Sequence, residues 1–173
     1  MLALGLVGCP RAVGPARTPE EARTRVGALL DAPDAGAAEF ASVGTEAPAA
    51  LAAVLGDPAA STQRRLGAAR ALGALPDGAG QPALAQAVAS PGLPEPVRDG
   101  AAEALGGSDR DGAVVRLTPL LAHADPAVRG AAARGLGRAG GAGARKSLED
   151  RLEREEDPTV RERLQASLAQ SQP

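Results

Sequence analysis

Residues Val97 to Gly106 read VRDGAAEALG, and the same frame returns as VRGAAARGLG from Val128 and VRERLQASLA from Val160. Upstream, RRLGAARALG from Arg64 fits it with Arg in place of the leading Val. The leucines near the end of the frame, Leu72, Leu105, Leu136 and Leu168, are therefore 33, 31 and 32 residues apart. Within one copy the positions i, i+4 and i+8 (Val97, Ala101, Leu105) lie on a single helix face. A second apolar pair with i, i+4 spacing follows three of the copies: Leu84 and Val88, Leu117 and Leu121, Leu148 and Leu152. The unit is an antiparallel helix pair. It is too small to bury its own apolar face, so neighbouring units must stack.

Local signals frame these helices. Thr18-Pro19-Glu20-Glu21 is a helix start, with Thr as N-cap, Pro at N1 and Glu completing a capping box; Val26, Leu29 and Leu30 give that helix its apolar face. Asp57-Pro58, Asp125-Pro126 and Asp157-Pro158 are placed to cap the first helix of a unit. The glycine that follows the leucine in Gly73, Gly106 and Gly137 is expected to end it. A weaker unit precedes these, with Val43-Gly44 followed by Leu51 and Leu55. Pro119 lies between Leu117 and Leu121 and should kink or shorten that second helix.

Composition supports helices and little else. The chain has 41 Ala, 21 Leu and 11 Val, one Phe, and no Ile, Trp or Tyr. Alanine is the best helix former, whereas strands favour the β-branched and aromatic residues that are scarce here. The same small residues (Ala68, Ala69, Ala101, Ala102, Ala132, Ala133) suit close approach of helix axes. A formal net charge of -2 provides no basic field for nucleic acid, and the missing Trp and Tyr remove most stacking surface for single strands. Nucleic acid is therefore not an expected partner.

The frame resembles the HEAT-repeat family, most closely its short variant in phycobilisome lyases, whose pattern runs D-P-x-V-R, then A-A-x-A-L-G, then an apolar second helix. The resemblance covers Asp34 to Gln170. It implies an all-α, right-handed α-solenoid of four to five helix pairs over residues 19–170, with protein partners bound along a concave face formed by the second helices. It also implies that Arg65, Arg98, Arg129 and Arg161, one per unit, brace neighbouring repeats through acidic groups and helix-end carbonyls. By geometry alone, Gln81, Arg116, Thr118, Arg145 and Glu149 are the polar candidates on the second helices.

The N-terminus carries a separate signal. MLALGLVGC is an apolar run ending in the only cysteine, and Leu6-Val7-Gly8-Cys9 resembles a bacterial lipobox. That resemblance implies a lipidated Cys9, a signal-peptide remnant at 1–9, and a lipid-anchored location in the bacterial cell envelope, periplasmic or at the cell surface. Without a lipobox the chain is expected in the cytoplasm. No Lys or Arg precedes the run and only eight residues precede Cys9, which points to a start further upstream or an unusually short signal. Pro10 to Thr18, PRAVGPART, has the composition of a tether. A single cysteine excludes an internal disulfide and a cysteine-based metal site.

Few residues offer catalytic chemistry. His123, the only histidine, has none of the partners that a metal or catalytic site needs, and a helix-dipole contact is its expected role. LEDRLEREE, from Leu148 to Glu156, mixes charge signs at i, i+4 spacing and reads as a solvated helix face. Gly140-Gly141-Ala142-Gly143 imitates a phosphate loop but lacks its Gly-Lys-Ser/Thr end, so it reads as a turn between helices. The expected function is a monomeric, cofactor-free and non-catalytic scaffold binding an unidentified protein. The alternatives are a subunit of the phycobilin lyase-like branch, for which one Phe and one His are poor pocket material, and a DNA-repair HEAT protein, which lacks its basic aromatic groove here.

Overall fold

The computed structural model describes residues 14–32 and 34–171. Among the described residues there are ten α-helices, two short 3₁₀ helices and no strand. In chain order the α-helices are α1 (Pro19–Asp31), α2 (Ala37–Ala41), α3 (Ala47–Gly56), α4 (Thr62–Ala74), α5 (Gln81–Ala89), α6 (Glu95–Ser108), α7 (Arg110–Leu117), α8 (Pro126–Ala139), α9 (Gly141–Leu152) and α10 (Pro158–Gln170). The first helices α4, α6, α8 and α10 stack side by side in one layer, each on the next. The second helices α3, α5, α7 and α9 form the other layer, and α1 packs on α3 and α4 at the N-terminal end. The result is an α-solenoid of stacked helix pairs whose last described helix, α10, is a first helix.

The leucine ladder forms a thin core between the two layers. Leu72, Leu105 and Leu136 of the first helices, with Leu84, Leu117 and Leu148 of the second, are fully or almost fully buried. Fully burying one such side chain is worth about 1.5–3 kcal/mol, so each unit contributes only a few such gains and depends on its neighbours.

The glycines act differently from the sequence expectation. Gly73, Gly106 and Gly137 do not end their helices, because α4 runs to Ala74, α6 to Ser108 and α8 to Ala139. Instead they face the next first helix at backbone distance. A Cβ built at Gly73 would stand 2.8 Å from the carbonyl oxygen of Ala104, one at Gly106 would collide with the Gly135 carbonyl, and one at Gly137 would meet Ser167 at 2.9 Å. Close approach, not left-handed backbone, requires glycine at these three places. The left-handed geometry sits later, at Gly140 and Gly141 with φ of +65° and +80°, where α8 turns into α9.

Capping follows the sequence at two of three Asp-Pro sites. Asp125 accepts from the Ala127 N–H, and Asp157 from the Thr159 and Val160 N–H groups, at the starts of α8 and α10. Asp57-Pro58 departs from expectation. Asp57 ends α3 and holds a turn by accepting from Ala59, while Ser61 caps α4 four residues later. Pro119 acts as its position implies: α7 stops at Leu117 and the chain continues as a 3₁₀ turn from Thr118 to Ala122. The weak upstream unit is reduced to the five-residue α2 before α3.

The second half of PRAVGPART is tied to the fold. Thr18 caps α1, Ala16 donates its N–H to the Val43 carbonyl at 2.8 Å, and Arg25 donates to the Gly14 carbonyl at 2.6 Å. Pro15 also packs against Gly44. Residues 14–18 therefore belong to the N-terminal edge of the fold. Residues 1–9, with the lipobox-like Cys9, lie outside the described residues. No helix among the described residues is long and apolar enough to cross a membrane.

Candidate protein-interaction surface

The four ladder arginines lie at the joints between repeats and are turned toward the ends of second helices. Arg65 donates to the Leu55 carbonyl at 2.8 Å, closing the end of α3. Arg98 donates to the Ser90, Pro91 and Leu93 carbonyls after α5. Arg129 donates to His123 and Ala124 carbonyls at 3.0 Å, and Arg161 to those of Leu152 and Glu155. Helix ends leave carbonyls unsatisfied, and a guanidinium with five donors can serve several at once. Arg65, Arg98 and Arg129 are buried in doing so, so they offer no open charged stripe to a partner.

One joint adds a buried ion pair. Arg129 donates Nε and Nη2 to the two carboxylate oxygens of Glu155, both at 2.8 Å, and Arg151 donates to Oε2 at 2.9 and 2.6 Å. The Asp157 N–H completes the set at 3.0 Å. Glu155 is 3% exposed, and the Arg129 hydrogen bonds, aided by Arg151, hold its carboxyl down at about 2. This overturns part of the reading of LEDRLEREE: Arg145 with Glu149 and Lys146 with Asp150 are solvated i, i+4 pairs, but Glu155 is a buried keystone. Its i, i+4 spacing from Arg151 was visible in the sequence. The reach of Arg129 from α8, the first helix of the same pair, was not.

A second network ties the first helices together. Arg134 of α8 pairs with Asp99 and Glu103 of α6 at 3.2 and 3.4 Å, and Arg163 of α10 pairs with Glu95 and Asp99. Burial pushes the Asp99 carboxyl up, while the Arg163 guanidinium beside Glu95 holds that carboxyl down.

The five second-helix candidates divide. Gln81 is 5% exposed, its amide near Ser108 and Asp109 and its oxygen accepting from Arg116 at 3.2 Å. It is therefore a link between repeats and not a free docking group, a correction that follows from its place at the start of α5 under the α6–α7 turn. Thr118 likewise shares a hydrogen bond of 3.0 Å with Ser147 of α9. Arg116, Arg145 and Glu149 remain exposed. Beside them on α7, Val115 is 73% exposed, the one large apolar side chain so exposed among the described residues. Sequence reasoning passed over it because the pattern Leu117/Leu121 drew attention to the buried face.

Other chemical candidates have structural roles. The His123 ring accepts from the Asp125 N–H through Nδ1 at 3.1 Å and so supports the turn before α8. Among the described residues no His, Cys, Asp and Glu grouping could hold a metal. Of Gly140 to Gly143, only Gly140 lies between the helices; Gly141 to Gly143 already form the first turn of α9.

This stacking has relatives. Residues 92–169 match the family model for HEAT repeats. The matched residues run from α6 into α10, the part of the chain where the frame is clearest. A chain in the structure of the CpcE–CpcF complex of phycocyanin lyase from Nostoc sp. PCC7120 shares the fold, with TM-score 0.51 and 20% identity over 83% of this chain and 98% of that one. An engineered protein from the Northeast Structural Genomics Consortium is also similar, with TM-score 0.44 and 19% identity over 88% and 72%. No curated protein matches the sequence.

Proposed function

We propose that this chain is a non-catalytic scaffold that binds a partner protein along its second-helix face. The observation that carries this reading is the exposure of Val115 and Arg116 on α7 and of Arg145 and Glu149 on the neighbouring α9. An apolar centre with a charged rim is the usual anatomy of a docking surface. The test is affinity capture with the full chain carrying Cys9→Ser, compared with the same chain also carrying Val115→Glu and Arg116→Glu. Proteins captured by the first and lost by the second support the reading. Identical capture by both removes it.

The same reading includes anchoring to the bacterial cell envelope by a lipid on Cys9, supported by the Leu6-Val7-Gly8-Cys9 pattern and the unique cysteine. Acyl labelling of the chain expressed with its native upstream region should disappear in Cys9→Ser. Labelling that persists refutes the anchor.

A second reading is a subunit of a bilin lyase, favoured by the fold shared with the phycocyanin lyase chain. Titration with a free bilin decides between them: a saturable change in its visible absorbance supports the lyase reading, and an unchanged spectrum supports the scaffold.

A further inference from the structure

Two arginines on the first-helix layer are not used by the fold. Arg64 pairs with Asp31 and donates to the Gly27 carbonyl, and Arg134 and Arg163 are engaged by Glu95, Asp99 and Glu103. Arg70 of α4 and Arg138 of α8 are exposed and have no ion-pair or hydrogen-bond partner among the described residues. Both border one groove of about 530 Å³ between α4 and α6. Its floor is made of Gly73, Ala74, Gly100, Ala104 and Gly107, so a bound chain can approach the helix backbones closely. Arg138 overhangs that floor, with its Nε 3.5 Å from where a Cβ at Gly107 would stand.

The groove does not end at α4. Arg70 and Ala74 also border a neighbouring hollow of about 390 Å³ whose walls include Leu29, Leu30 and Phe40, the only aromatic residue of the chain. Cationic and apolar subsites thus adjoin across one helix. The groove's own carboxylates, Asp99 and Glu103, share Arg134 and Arg163 with Glu95. With Arg70 and Arg138, these four arginines and three acids together leave one net positive charge for a partner. The chain as a whole carries a net charge of -2, and an anion is drawn here by Arg70 and Arg138 and not by a general field.

We propose that this first-helix face is a second docking surface, taking an acidic segment of a partner protein that pairs its carboxylates with Arg70 and Arg138 and places an apolar side chain against Leu29, Leu30 and Phe40. Guanidinium groups match carboxylates in paired, directional hydrogen bonds, which gives such a surface selectivity for acid over base. It lies on the layer opposite Val115 and Arg116, so a scaffold built this way engages two partners at once.

The test is fluorescence polarisation of the full chain with a fluorescein-labelled peptide of four Glu-Glu-Leu repeats. Saturable binding is expected, weakened about tenfold or more in Arg70→Ala/Arg138→Ala and unchanged in Arg116→Ala/Arg145→Ala. Both altered pairs are exposed, and circular dichroism melts check that the fold is kept. Replacing the peptide leucines with serines should weaken binding several-fold. The proposal is overturned if the peptide does not bind, if binding survives Arg70→Ala/Arg138→Ala, or if a twelve-nucleotide oligothymidine competes as well as the peptide does. Binding lost only in Arg116→Ala/Arg145→Ala overturns this surface and leaves the second-helix reading standing.

Discussion

Arg129 and Glu155 meet as a two-bond fork inside the protein, both bonds at 2.8 Å, and join the start of α8 to the turn between α9 and α10. The pair also ties two successive repeats, because Arg129 donates at the same time to the His123 and Ala124 carbonyls that end the preceding repeat. Removing one member leaves the other charge buried. Glu155→Ala should therefore cost about 3–5 kcal/mol in urea unfolding, far more than Glu149→Ala at the exposed pair with Arg145, expected at about 0–1 kcal/mol. Equal losses would show that Glu155 is solvated.

The same pair sets an acid limit. A folded carboxyl held at about 2, against an ordinary value of 4.5, stabilises the protein fully above pH 4.5 and loses that contribution as pH falls toward 2. The loss amounts to about 3 kcal/mol by linkage. Asp99, raised by burial, works in the opposite sense and blunts the total. Melting temperatures between pH 5 and pH 2.5 should fall less steeply in Glu155→Gln than in the parent, since the titrating group is gone.

Glycine substitutions test the close packing of the first helices. Gly106→Ala puts a methyl into the Gly135 carbonyl and should destabilise by about 1–3 kcal/mol despite the better helix propensity of alanine. Gly92→Ala, where nothing lies within 4 Å, is the matched control and should be neutral. Denaturant midpoints of the two variants make the comparison.

Ala132 is fully buried in α8. Ala132→Leu should overpack the layer and cost about 1–3 kcal/mol, read from the same denaturant midpoints. A neutral outcome would mean that the first helices separate easily.

The repeat, its helix pairs and two of the Asp-Pro caps were legible because each rests on spacing within about ten residues. What the sequence hid depends on contacts between residues far apart in the chain. Gly106 looks like a C-cap until Gly135 is placed against it, and Glu155 looks like a surface acid until Arg129 arrives from α8. Gln81 sits at a helix start that reads as exposed, but Ser108, Asp109 and Arg116 enclose it. Asp57 misled for a local reason: Ser61 offered α4 a cap nearer its first turn.

The glycine contacts along the first helices also have a mechanical meaning. At Gly73, Gly106 and Gly137 those helices already press backbone against backbone or Cβ, with no compressible side chain between them. That row behaves as a fixed hinge line. The second helices, kept apart by side chains such as Gln81, Arg116, Thr118 and Ser147, are where spacing can change. Flexing of the molecule is thus directional, fanning or closing the α3–α5–α7–α9 side like the pages of a book bound along the α4–α6–α8–α10 spine.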